Sequence, residues 1–290
     1  MARSFLQRLL PPPLRRKVPV VPVIRLSGVI GGVSPLRQGL TLNALNDTIE
    51  RAFRRRDIAA VALSINSPGG SAVQSSLIAG RIRALAEEKK VKVLAFVEDV
   101  AASGGYWLAT AGDEIIADRS SIVGSIGVIS ASFGFVDAMR KVGVERRIHT
   151  AGEHKSILDP FLPEKEADVA RLKALQKDIH EEFKAQVRSR RAGRLDEAHE
   201  ELFSGAFWSG VKARELGLVD GFGSLNEVLK AQFGDTVEIV PIEPKQGLLA
   251  RFGLRTQGPT HEFLNRIAQE FPEALLDTLE SRALWGKFGL

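Results

Sequence analysis

The chain is predicted to be an α/β protein built on a largely parallel sheet, and three features of the 290-residue sequence carry that prediction. Short β-branched or apolar runs alternate with stretches of helical spacing, the order that βαβ units with right-handed crossovers produce. Two of the runs, Ala59–Ile65 and Val91–Val97, are apolar nearly throughout, as strands buried on both faces are. Glycine pairs follow these runs, Gly69-Gly70 after the first and Gly104-Gly105 after the second, where a strand gives way to a helix.

Taken in order, Val20–Leu26 is the first strand. Pro19, Pro22 and Arg25 break the apolar stretch from Val18 to Ile30, so it cannot be read as a membrane span. Leu42–Arg54 follows as a helix, Ala59–Ile65 as a strand and Ala72–Glu88 as a helix. Val91–Val97, Asp113–Ala117 and Val144–Thr150 read as strands, with helices at Gly104–Ala111 and Phe133–Val142 between them. A long helix from about Pro163 to Arg191 carries an apolar stripe of Val169, Leu172, Leu175, Ile179, Phe183 and Val187. Pro163, Glu164 and Glu166 suit its start; Arg188, Arg190 and Arg191 suit the negative end of its dipole, with Gly193 just beyond. Ser209–Asp220 is a short helix with a turn at Gly217, Ser224–Phe233 a further helix and Val237–Ile242 a last strand.

Three segments result: a basic tail over 1–17, a folded domain over 18–244, and a linker with a C-terminal amphipathic helix over 245–290. That helix runs from about His261 to Leu284, with Phe263, Leu264, Ile267, Phe271, Leu275, Leu276 and Leu279 on one side. It is expected to dock on the core or a neighbouring subunit, with membrane contact as the alternative. The tail carries Arg3, Arg8, Arg15, Arg16 and Lys17 and no acid. It is either a frayed end or, with Phe5, Leu6, Leu9 and Leu10, a weak membrane-surface anchor. Its apolar run is too short for a signal-peptide core, so the expected location is cytoplasmic, with peripheral contact at the inner membrane left open.

Composition narrows the function classes. Apolar residues are 44% and charged residues 26%, as in soluble globular proteins. The net charge is +5 and the pI about 9.5, without the focused basic stripe that nucleic acid binding needs. With no cysteine, disulfides, thiolate metal sites and a cysteine nucleophile are excluded.

Four segments carry chemistry. Asn66–Ser71 places Gly69 and Gly70 after a buried strand, where their N–H groups can line a cavity and hold an oxyanion; an ordinary strand-to-helix turn is the plainer account. Ala101–Trp107 places Ser103 before a helix, among residues small enough to admit a substrate carbonyl; it is a nucleophile or simply a helix cap. Lys155 lies beside Ile157, Leu158, Pro160 and Phe161, and a lysine desolvated by such neighbours can act as a base, whereas most lysines are solvated. Ser121–Val128 is apolar and glycine-spaced, and its Ser125 can hold a lysine amine or serve as a structural serine.

In this order and spacing, Ser67–Gly70, Asp99–Ala109, Val123–Val128 and Gly152–Phe161 resemble the signal peptide peptidase A family of serine peptidases, which includes the SohB-like proteins. The resemblance covers roughly Val20 to Ile242. It implies the ClpP/crotonase-like ββα superhelix with additional helices, Ser103 as nucleophile, Lys155 as general base and Ser125 as the serine that orients the lysine. It further implies oxyanion donors at the N–H groups of Gly70 and Ser103, with Gly69 and Gly104 beside the substrate. No metal or cofactor is implied. Polypeptide substrates, hydrophobic, unfolded or signal-peptide-like, and a ring- or bowl-shaped homo-oligomer are. The family's usual N-terminal membrane anchor is not found in this sequence.

Rival readings stay open on the sequence. A crotonase-like acyl-CoA enzyme would use the same oxyanion glycines with Glu98 or Asp99 as the acid. A Ser-His-Asp peptidase would recruit one of His149, His154, His180, His199 and His261. A catalytically idle scaffold would use neither Ser103 nor Lys155.

Overall fold

The structure is a computed structural model describing residues 18–32, 39–55, 57–243 and 282–290. The expected basic tail and most of the expected linker and C-terminal helix lie outside the described residues. The elements are β1 (Val20–Ser27), α1 (Leu42–Arg54), β2 (Val61–Ser67), α2 (Ala72–Lys89), β3 (Val93–Ala102), α3 (Gly104–Ala109), β4 (Glu114–Ala117), β5 (Ile122–Gly124), α4 (Val136–Val142), α5 (Glu166–Arg190), β6 (Phe207–Ser209), α6 (Gly210–Glu215), β7 (Gly221–Phe222), α7 (Leu225–Phe233) and β8 (Glu238–Pro241).

The protein is a mixed α/β structure. Its sheet runs β6-β5-β3-β2-β1-β8, with β4 on β3 and β7 on β4, and only the β5–β6 pair is antiparallel. Side chains alternate across the central strands as the pleat requires. Val61, Leu63 and Ile65 of β2 and Val93, Ala95 and Val97 of β3 join the larger core under α1, α2 and α3. Ala60 and Ala62, with Leu94 and Phe96, join the smaller core with Leu229 of α7. Burial on both faces explains the unbroken apolar runs.

One edge of β3 serves two strands: Leu94–Val97 pairs with β4 and Val100–Ala102 with β5. On the other edge the register with β2 shifts between Ile65 and Ser67. Glu98 and Asp99 stand out at this irregularity, exposed, and are held by the Ser64 hydroxyl (2.5 Å) and the Asn66 amide (2.6 Å). The bulge lets β3 run on to Ala102 and deliver its end next to Ser67–Gly70.

Two expectations are corrected. Val144–Thr150, expected as a strand, has no sheet partner and is almost wholly exposed; Glu145, Arg146 and Arg147 interrupt its apolar residues and no strand lies beside it. The long helix starts at Glu166, after Pro163, and of its stripe only Phe183 and Val187 are buried. Two of the arginines at its C-terminal end are also tertiary anchors. Arg190 donates to the Thr110 and Gly112 carbonyls (2.8 and 3.1 Å), and Arg191, 1% exposed, forks onto Asp220 and the Gly217 carbonyl.

Candidate active site

The site forms where β3 ends. Its last residues continue the ladder with β5, and the Ser103 N–H donates to the Gly124 carbonyl at 2.8 Å. The Ser103 carbonyl then accepts from the N–H groups of Tyr106 and Trp107 (2.9 and 3.1 Å), which starts α3. Held at both ends, Ser103 takes φ +52°, ψ −123°, a conformation costing an L-residue about 1–3 kcal/mol. Its side chain makes no capping bond, and it is the one half-exposed position in an otherwise buried stretch from Val100 to Ala111. Ser103 is thus the N-cap of α3 by position, but its hydroxyl makes no capping bond. Behind it Tyr106, wholly buried, donates to the Leu218 carbonyl at 2.8 Å, and burial pushes its phenol pKa up.

The two glycines of the first motif press against this turn. Gly69 and Gly70 have φ of +106° and +138°, conformations open to glycine. A Cβ on Gly69 would lie 2.8 Å from the Ser103 Cβ and 3.0 Å from the Gly104 nitrogen, and one on Gly70 would run into the Ile30 carbonyl. The bridge to Ile30 uses the Gly69 carbonyl and the Ser71 N–H (both 2.8 Å), so the Gly70 N–H points away from it. Gly104 opens α3, where an N–H has no acceptor within the helix. The Gly70 and Gly104 N–H groups thus flank Ser103. The Ser103 N–H, expected as the second oxyanion donor, is committed to Gly124 because the strand ladder continues through it.

A cavity of about 620 Å³ lies over this turn, bordered by Gly70, Ser103, Gly104 and Ser125. Ser125 is buried at φ +53°, with its N–H on the Ala206 carbonyl of the loop before β6 (2.6 Å). One wall is apolar: Trp107 of α3 stacks on Phe183 of α5 with ring centroids 4.8 Å apart, beside Ile179, Val128 and Ile129. His180 also lines the cavity, its Nε2 3.1 Å from the Ile126 carbonyl, one residue beyond Ser125. In the sequence Ile179 and Phe183 are part of an apolar stripe and His180 is one of five candidate histidines; the three-to-four-residue spacing is a local signal that does not say what these residues face.

Lys155 is not brought into this cavity. It is exposed in a run of turns, its N–H on the Gly152 carbonyl (3.2 Å), and it is not among the cavity-lining residues. The whole of 127–182 contains no buried residue. Its order comes from within: Phe135 stacks on Phe161 (5.5 Å), the Phe135 N–H reaches the Pro160 carbonyl (2.7 Å), and Arg146 pairs with Asp159 (3.1 Å).

The model of "Peptidase family S49" matches residues 85–234, more than half of the chain and the part that holds Ser103, Ser125 and Lys155. The chain belongs to peptidase family S49. Among proteins of this S49 relationship, the Serine protease SPPA, chloroplastic, of Arabidopsis thaliana is 31% identical over 72% of this chain and 31% of its own length. Protease 4 of Haemophilus influenzae is 31% identical over 64% of this chain and 31% of its own. A protein of Brucella abortus bearing the name Na(+)/H(+) antiporter NhaA is 51% identical over 99% of this chain, which matches 39% of that protein. The chain thus spans well under half the length of these relatives. Among the described residues no helix is long and apolar enough to cross a membrane.

Proposed function

We propose that this chain is a serine endopeptidase of the Ser-Lys type on a ClpP/crotonase-like ββα fold, acting on hydrophobic or unfolded polypeptides, signal-peptide-like segments among them. The observation that carries the reading is Ser103: a strained, uncapped, half-exposed serine between two N–H groups, facing a cavity with an apolar wall. Membership of family S49 and the names of the two proteases support it.

In this reading a neutral Lys155 amine takes the Ser103 hydroxyl proton as Oγ bonds to the peptide carbonyl carbon. The carbonyl oxygen becomes an oxyanion held by the Gly70 and Gly104 N–H groups. The C–N bond breaks as the lysinium hands its proton to the leaving amine. Water, deprotonated by the same lysine, then cleaves the acyl-enzyme and restores the Ser103 hydroxyl. Ser125 holds the lysine amine at the cavity. Because Lys155 stands exposed and outside its own chain's cavity, we assign it to the Ser103 of a second copy in a homo-oligomer.

Complementation tests the assignment. Ser103→Ala and Lys155→Ala are each expected to lose activity on an unfolded protein substrate, the lysine variant by about 10²–10⁴-fold, the range for losing a positioned base. Mixed and co-assembled, the two variants regain activity only if serine and lysine meet between copies; a mixture that stays inactive overturns the shared site. A Lys155→Ala variant with full activity sinks the dyad itself. His180 gives a specific second reading, since it borders the cavity with Nδ1 free of the Ile126 contact. Loss of activity in His180→Ala together with full activity in Lys155→Ala would establish it. The acyl-CoA reading finds no support: Glu98 and Asp99 do not line the cavity and are spent on the β3 bulge.

A further inference from the structure

Ser125 is held in a conformation that its residue type does not favour. Its φ of +53° lies in the left-handed region, although it carries a side chain. Such a residue persists only where its surroundings over-determine it. Three contacts do so, one from each residue of the turn 124–126. The Gly124 carbonyl accepts from the Ser103 N–H (2.8 Å), and the Ser125 N–H donates to the Ala206 carbonyl (2.6 Å). The third contact comes from a side chain: His180 Nε2 lies 3.1 Å from the Ile126 carbonyl. A carbonyl only accepts, so this nitrogen carries a proton. Ile126 is wholly buried, and among the described residues its carbonyl has no other hydrogen bond. Without the imidazole a buried acceptor would stand unpaired, a cost the turn can relieve only by moving.

The mount for this contact is firm. On α5, His180 and Phe183 are three residues apart and so lie on one side of the helix. Phe183 is buried and stacks on Trp107 of α3 at 4.8 Å. The helix that begins at Ser103 and the helix that reaches the Ser125 turn are thereby fixed to each other. We infer that His180 is a positioning residue: from α5 it latches the turn 124–126 and so sets where the Ser125 hydroxyl stands relative to Ser103 and to the lysine amine. This rests on the Ser-Lys reading above, and it gives His180 a donor role at Nε2, distinct from a base role at Nδ1.

Two substitutions in the full chain test it. His180→Phe keeps a ring against the cavity and removes the donor. His180→Gln keeps an N–H for the Ile126 carbonyl and cannot serve as a base. His180 is half-buried and stands outside the core, so the fold survives both. Hydrogen exchange of residues 123–128, read by mass spectrometry without substrate, should be about tenfold faster in His180→Phe and close to the parent's in His180→Gln. On a peptide substrate, kcat should fall by up to about 10²-fold in His180→Phe, as for a displacement on the order of 1 Å, with KM little changed. His180→Gln should recover most of that loss. Unchanged exchange in His180→Phe overturns the latch. Faster exchange with the parent's kcat overturns its part in the reaction. A His180→Gln variant that exchanges like the parent yet is as inactive as His180→Phe does so too, because a base is then what was lost. If the parent itself cleaves nothing, the peptidase reading has failed and exchange alone decides the latch, so the two failures are told apart.

Discussion

Asp220→Asn tests the account of what holds the rear of the site together. The Asp220 carboxylate accepts from Arg191 (2.6 and 3.0 Å), from Arg194 (3.0 Å) and from the Ile115 N–H (2.7 Å). Arg191 is 1% exposed, and its other bonds run to the Gly217 carbonyl, next to Leu218, which holds Tyr106. The amide keeps the shape and leaves a guanidinium charge buried without its counter-charge. Removing one partner of a buried ion pair costs about 3–5 kcal/mol; the Asp220 side chain is 23% exposed, so the low end applies, about 3 kcal/mol. At an unfolding entropy of about 2.1 cal/mol/K per residue, a chain of this length loses about 5 °C in Tm. Urea unfolding followed by circular dichroism at pH 7 measures the difference. Its pH dependence has a definite sign. Burial raises the Asp220 pKa, but the Arg191 hydrogen bonds, the Ile115 N–H and the Arg191 and Arg194 charges outweigh it, so the carboxyl lies below its ordinary value. A depressed carboxyl contributes stability that is present above the unfolded pKa, about 3.9, and is lost as pH falls through the folded one. The gap between parent and variant should therefore close below about pH 4. Asp220→Leu with Arg191→Met should recover much of the loss, because neither charge is then buried alone. Equal stabilities at pH 7, or a gap that widens on acidification, would refute the reasoning.

Two further outcomes follow from the turn at Ser103. Ser103→Gly and Ser103→Ala should both be inactive, yet the glycine variant should be about 1 kcal/mol the more stable, since glycine accepts φ +52° without strain; equal urea midpoints would mean the turn stores none. Gly69→Ala places a Cβ 2.8 Å from the Ser103 Cβ at φ +106°, so Ser103 must shift. Displacement on the order of 1 Å lowers kcat by up to about 10²-fold, and steady-state kinetics on a peptide substrate would show any variant that retains full kcat.

The parallel sheet was legible because burial on both faces leaves a mark in composition, and β1, β2 and β3 carry it. Strands β5, β6 and β7 left none. They are two or three residues long and exist through their pairing with β3, β5 and β4 respectively, which no local pattern encodes. Val144–Thr150 is the converse, a β-branched stretch with no strand beside it. Strand character belongs to a pair, so one sequence segment cannot settle it.

At the site, the sequence by itself marked Ser103, Ser125 and the Gly69-Gly70 pair as candidates. Ser103, Ser125 and the Gly69-Gly70 pair sit in short motifs whose small residues and positive-φ glycines are local requirements. Only the tertiary structure decided how they are used. The β3–β5 ladder takes the Ser103 N–H and leaves its hydroxyl uncapped. It also set Phe183 and His180, from a helix far along the chain, and Phe288, from its end, around the same cavity. Lys155 marks the boundary between the two kinds of information. Its motif names it, but a lysine becomes a base only where its charge is desolvated, and that depends on what packs around it rather than on its neighbours in sequence.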